Sequence, residues 1–226
     1  MKRYPYLIAT LLAFVVVVPL AHATLLSPGQ CVGLGVGCVG PIQNFNTATP
    51  GTVIADTKKE AYTISIGAKV KEQGTFEEQV IQAMGTGFLS FYYQLIIAAP
   101  PKGVIDTIEV SDFTDWATDV GVNTAYGFIG SKGTSSPDQI NVTPDGSTVN
   151  FEFATLIAGA KPVTSVTLVV NTTALTYMPG TDGVIDSGVA SVNGFEPGPE
   201  PASIVLFGTV LAFTGLTVRR RLASKR

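Results

Sequence analysis

The chain has 226 residues, a formal net charge of −3 and a single histidine, His22. Between Thr24 and Gly198, seven lysines and no arginine stand against sixteen carboxylates, leaving −9, which argues against a nucleic-acid partner because phosphate binding needs clustered Lys and Arg. Beyond His22 a Ser-His-Asp triad, a Cys–His pair and a His-ligated metal site are all excluded, whereas carboxylate-only chemistry and oxygen-ligated calcium are not.

Lys2 and Arg3 open the chain, Leu7 to Val18 is apolar, Pro19 breaks it, and Ala21-His22-Ala23 has the small-x-small pattern of a signal-peptidase site. We expect residues 1–23 to be a signal peptide for the Sec translocon, cut by signal peptidase after Ala23. Cys31 and Cys38, the only cysteines, are then expected to form a disulfide, as an even count in an exported chain suggests. A loop this short contributes about 2 kcal/mol. Its Gly33-x-Gly35-x-Gly37 spacing lacks the strand and helix that a nucleotide loop requires.

The middle of the chain reads as strands. Ala61 to Val70 carries Tyr62, Ile64 and Ile66 on one side, and Gly87 to Ala98 is weighted with Phe88, Phe91, Tyr92 and Tyr93. Val104 to Val110, Gly121 to Ile129 and Gly183 to Val192 are weaker strands. Thr148 to Phe153 alternates with Val149, Phe151 and Phe153 inward, and the turn signal Pro144-Asp145-Gly146-Ser147 joins it to Gln139–Thr143 as a hairpin. Ser165 to Asn171 is a β-branched core strand. Gly and Pro punctuate the chain and no segment sustains a helical period. The expected fold is an all-β, antiparallel two-sheet sandwich over residues 24–193, jelly-roll or immunoglobulin-like. Gly194 to Gly198 reads as a linker.

Asp112, Asp115 and Asp119 surround Trp116, the only tryptophan. Carboxylates beside an indole could touch a sugar or a calcium ion. The favoured alternative is a solvated loop with Trp116 packed in the core. Asp182 and Asp186 flank a Gly-rich segment and read as a turn rather than half a calcium loop. Glu77 and Glu78 point to opposite faces of a strand and suit edge-strand solubility better than paired catalysis. One of Tyr92 and Tyr93 should face outward. No cofactor is expected.

Pro199-Glu200-Pro201 leads into an uncharged apolar run from Ala202 to Val218, with Arg219, Arg220 and Arg221 directly behind it. Its 17 residues make a helix of about 25 Å, at the short end of what spans a bilayer, and the arginines should stop on the cytoplasmic side. This tail resembles the PEP-CTERM sorting signal of exported Gram-negative proteins, in which Pro-Glu-Pro, Ala-Ser, a short apolar helix and an Arg-rich end follow in that order. The resemblance covers residues 199–226. It implies recognition by an exosortase, a membrane processing enzyme, with the inner membrane holding the chain through 202–218 until processing. It also implies residence at the cell surface or in the extracellular matrix afterwards, in association with exopolysaccharide. The sequence thus expects a non-catalytic surface or matrix protein. The alternative is a carbohydrate-binding or carbohydrate-active protein using carboxylates such as Asp112, Asp115 or Glu152.

Overall fold

The computed structural model describes residues 26–46, 50–98, 105–114, 116, 119–156 and 161–199. The expected signal peptide and the segment beyond Pro199 lie outside them. Among the described residues there is no α-helix. Fourteen strands form two sheets: β1 (Cys31–Gly33), β2 (Gln43–Asn44), β3 (Thr52–Asp56), β4 (Glu60–Ile66), β5 (Lys69–Gln82), β6 (Leu89–Ile97), β7 (Ile105–Ser111), β8 (Asp119–Asn123), β9 (Gln139–Val142), β10 (Thr148–Leu156), β11 (Val163–Thr164), β12 (Thr167–Asn171), β13 (Tyr177–Ile185) and β14 (Val189–Pro197).

The six-stranded sheet runs β1-β9-β10-β7-β13-β14. The eight-stranded sheet runs β2-β8-β12-β6-β5-β3, with β11 also on β6 and β4 on β5. All pairings are antiparallel except β2 with β8, so the larger sheet is mixed. Their inner faces share one core. Phe151 and Ile108 from one sheet meet Phe76, Tyr93 and Leu168 from the other, all buried. Tyr93 centres this contact, with ring centroids 6.2 Å from Phe76 and 6.4 Å from Phe151. This all-β, two-sheet architecture is that of a sandwich.

The alternation in β10 does what its sequence expects: Val149, Phe151 and Phe153 face in, and Val149 pairs with Val142 across the 143–147 turn. Elsewhere the reading differs. Ala61–Val70 is a hairpin, because Gly67 takes φ +62° and lets Ile66 pair with Lys69. Gly183–Val192 is also two strands, turning at Asp186–Gly188 with Ile185 opposite Val189. Gly194 to Pro197, expected as a linker, continue β14 and pair with β13.

Strand β8 stops at Asn123, whose side-chain oxygen accepts from Ala125 N at 2.9 Å and Tyr126 N at 3.0 Å, an Asx turn that ends the ladder. The chain then crosses the outer face of the larger sheet. Buried Gln94 holds it there, accepting from Phe128 N and Ile129 N at 3.0 Å and donating to Ser131 O at 2.7 Å. Removing that amide strands two backbone donors. Gln94→Leu is expected to lower stability by about 2 kcal/mol or more, measured by urea unfolding. The crossing also covers Tyr92, whose ring meets Tyr126 at 5.8 Å. Tyr93 is core and Tyr92 is only 4 % exposed, so neither tyrosine is the open platform that strand alternation suggested.

Candidate binding groove

The outer face of the six-stranded sheet is polar by alternation: where Ile140, Phe151 and Ile108 point in, their neighbours point out. One row of register partners is Gly33, Gln139, Glu152 and Thr107; the next is Cys31, Asn141, Asn150 and Glu109. These side chains bond along the sheet. Asn150 Nδ2 donates to Asn141 Oδ1 at 3.0 Å, and Asn141 Nδ2 donates to Glu152 Oε1.

After Glu152 the pairing of β10 with β7 slips before it resumes at Leu156. Ala154 N, taken out of the ladder, donates to Asp138 Oδ2 at 2.6 Å, while Asp138 N donates to Glu152 O at 2.8 Å. A slip of this kind bends a strand and opens space beside it. The space is a groove of about 380 Å³ lined by Leu34, Asp106, Thr107, Asp138, Gln139 and Glu152 among others. Its rim is the Cys31–Cys38 loop. The disulfide is formed, with Cα atoms 4.6 Å apart, and presents Leu34, 86 % exposed, over the groove. Carboxylates, an amide and a hydroxyl make it acceptor-rich, suited to a ligand bearing hydroxyl or amine donors and hostile to phosphate.

The sequence singled out Glu152 but not Asp106, Asp138 or Gln139. The signal was present in the polar half of the alternation, Gln139 and Asn141 beside Asn150 and Glu152, which marks a continuous outer face.

The aspartates around Trp116 are dispersed. Asp112 is exposed just past β7, at φ +64°, while Asp119 is buried in β8 of the other sheet, in register with Asn171. Burial, tempered by a hydrogen bond with Asn171, pushes the Asp119 carboxyl up to about 6. The aromatic that fills the core here is Phe113, 1 % exposed, and Trp116 is half-buried above it. Asp115 lies outside the described residues, as do Ala21, Ala23, Glu200, Pro201 and Arg219 to Arg221.

A carboxyl pair that sequence spacing did not bring together is Glu78 with Asp182. β5 is an interior strand, so Glu78 sits inside the sandwich, 0 % exposed, and Asp182 on β13 is 3 % exposed. They meet over Gly194, where a Cβ would lie 2.3 Å from Asp182 Oδ2 and 3.0 Å from Glu78 Oε2. Glu78 Oε2 accepts from Phe195 N at 2.6 Å, while Glu78 Oε1, Asp182 Oδ2 and the Tyr93 hydroxyl are buried without a hydrogen-bond partner. Burial, with no cation acting on either group, raises both carboxyls well above their ordinary range, so the pair retains a proton. Sealed from solvent, it is placed to hold the fold and not to meet a substrate. Asp186, at the β13–β14 turn, is instead paired with Lys71 Nζ at 2.8 Å. Glu77, on the outer face, lies beside Asp56; burial and then that neighbour raise its carboxyl. Both glutamates are buried, not edge-strand solubilisers. Among the described residues no group of three or more Asp, Glu, Cys or His is arranged to hold a metal ion.

The chain matches no protein-family model, no curated protein and no solved structure.

Proposed function

We propose that this chain is an exported surface or extracellular-matrix protein, sorted by its C-terminal signal and working by binding, in association with exopolysaccharide, and not by catalysis. The observation that carries the reading is the tail, 199–226, in which Pro199-Glu200-Pro201, an uncharged run and three arginines follow in the order of a PEP-CTERM signal. The fold supports it. Strand β14 ends at Pro197, and Thr176 Oγ1 donates to Gly198 O at 3.0 Å and Pro199 O at 3.2 Å. The last described residues, held by Thr176, thus lead directly into the segment that this reading assigns to sorting.

In this reading residues 1–23 are a cleaved signal peptide and 202–218 a membrane helix. The domain, jelly-roll or immunoglobulin-like in the broad sense, faces the periplasm until an exosortase-type enzyme acts at the motif. Replacing Pro199-Glu200-Pro201 by Ala-Ala-Ala should then shift the protein from the surface and medium fractions to the inner membrane of a host with that enzyme. An unchanged distribution contradicts sorting by this motif.

The groove favours saccharide contact over hydrolysis: its two central carboxylates, Asp138 and Glu152, are each engaged as acceptors by Ala154 N and Asn141 Nδ2. Asp138→Ala with Glu152→Ala is expected to weaken retention by the host's matrix polysaccharide roughly 10-fold, about 1.4 kcal/mol, in affinity electrophoresis.

A further inference from the structure

The groove and the buried carboxyl pair leave one large feature of the surface unused. Of the exposed large hydrophobic side chains, seven gather at the end of the sandwich from which the chain leaves: Val53, Ile54, Met84, Phe88, Leu175, Tyr177 and Met178, between 37 % and 81 % exposed.

Contacts tie these segments together. Thr52, the first residue of β3, pairs with Gln82, the last of β5. The 83–88 turn closes through Ala83 N to Phe88 O at 2.9 Å, and Leu89 N donates to Ala174 O at 2.9 Å. Leu175 Cδ2 lies 3.8 Å from where a Cβ of Gly87 would be. The Tyr177 hydroxyl reaches Ile54 O at 3.4 Å, and the Tyr177 ring stands edge-on to Phe195 at 5.4 Å. Gly198 N donates to Thr176 O at 2.9 Å, so the outgoing chain is held inside this group.

The segments 50–55, 79–98 and 171–181 contain no Asp, Glu, Lys or Arg. Of the acidic groups of the same end, Asp112, Asp145 and Glu196 lie on the side of the six-stranded sheet, and Asp119, on the eight-stranded sheet, is buried beside Asn171; burial first, then Asp112, raises the Glu196 carboxyl. An apolar area of this kind on an otherwise acidic domain marks a surface that meets something apolar. What it meets follows from the chain outside the structure. After the fixed Pro199 only Glu200 and Pro201 precede the uncharged run that begins at Ala202. Two extended residues reach about 7 Å, too little to lift the domain clear of a bilayer that holds that run.

We propose that this end of the sandwich docks on the lipid surface, with Phe88, Leu175 and Met84 in the interfacial zone and the eight-stranded sheet tilted toward it. This rests on the reading of 202–218 as a membrane helix. The patch carries no cation, so docking takes a zwitterionic surface and needs no anionic lipid. Met84, Phe88 and Leu175 would enter the headgroup–acyl boundary to a depth of about 5–10 Å. The opposite end is the reference point: Val189, 64 % exposed, begins β14, eight residues from its end, about 26 Å away along the strand.

The test uses the chain from Thr24 to Arg226, the form this reading leaves after signal-peptide cleavage, in phosphatidylcholine vesicles brominated on the acyl chain near the headgroup. In a Trp116→Phe background, single variants Phe88→Trp, Leu175→Trp and Val189→Trp report depth by quenching. A carbonate wash followed by flotation reports integration separately. The expected result is an integrated protein in which tryptophan at 88 and 175 is blue-shifted and loses most of its emission, while tryptophan at 189 keeps it. Integration with 88 and 175 no more quenched than 189 overturns the docking surface and leaves the membrane helix standing. Quenching at 88 and 175 in protein that the wash removes keeps the docking surface and overturns the helix. Neither quenching nor integration overturns both.

Discussion

Stability of the sandwich should fall as pH rises from 6.5 to 8.5, and Asp182→Asn should abolish most of that fall. Glu78 and Asp182 carry raised carboxyls in the fold because both are buried with no cation beside them; Tyr93 and Glu196 are the other groups acting on them. A group whose folded value lies above its unfolded one keeps its proton in the fold after the unfolded chain has lost it. Its contribution is complete below the ordinary carboxylate range and is lost as pH rises toward the folded value. Each retained proton gives a slope of about 1.4 kcal/mol per pH unit, so two units cost up to about 2.7 kcal/mol.

The chosen window isolates the pair from its strongest competitors. Asp119, pushed up to about 6, gives a slope of the same sign that is largely spent below the window. Asp56 is lowered, chiefly by its hydrogen bonds with Lys58, which outweigh burial, and it acts below its ordinary range with the opposite sign. Glu78→Gln should behave like Asp182→Asn while still accepting from Phe195 N. Chemical unfolding of the three proteins at several pH values decides it: parallel slopes in parent and variants would mean that the pair holds no shared proton.

Phe151→Ala should cost about 3–5 kcal/mol, a large part of the 5–15 kcal/mol by which a domain of this size is ordinarily stable. Phe151 is fully buried on β10, and its ring is 6.4 Å from that of Tyr93 on the other sheet. Truncation therefore opens a cavity between the layers, where neither sheet can close it without moving the other. Phe153→Ala, with its residue 4 % exposed and nearer the groove, should cost less. Equal costs in urea unfolding would argue against a core centred on the Phe76–Tyr93–Phe151 contact.

How far the sequence reaches is seen in particular residues. The 143–147 hairpin is legible because Pro144-Asp145-Gly146-Ser147 interrupts two clean alternations, and the structure adds the reason: the Asp145 carboxylate accepts from Ser147 N at 3.1 Å and the Thr143 hydroxyl at 2.6 Å. The turns at Gly67-Ala68 and at Asp186–Gly188 are hidden because short loops leave the surrounding alternation unbroken. Glu78 and Asp182 are 104 positions apart, and no local pattern says that two inward-facing acids meet inside the sandwich. A phenylalanine took the core place expected of Trp116, since both lie in one short loop and alternation cannot rank them. The polar outer face of β9 and β10 is readable in principle. The groove is not, because it depends on a slip in the pairing of β10 with β7 after Glu152 that no local pattern announces.

Docking and sorting describe two stages of one molecule. Under the proposed reading, the apolar end around Phe88 and Leu175 would lie against the bilayer while the tail remains attached. In the same proposal, cutting at the motif would release the domain, with its apolar end exposed and its candidate groove on the outer face of the six-stranded sheet. The intact mass of the protein recovered from a host that makes the processing enzyme separates the stages most directly. The account expects a chain that starts at Thr24 and ends between Pro199 and Pro201. A mass that retains Arg219 to Arg226 in that host would contradict it.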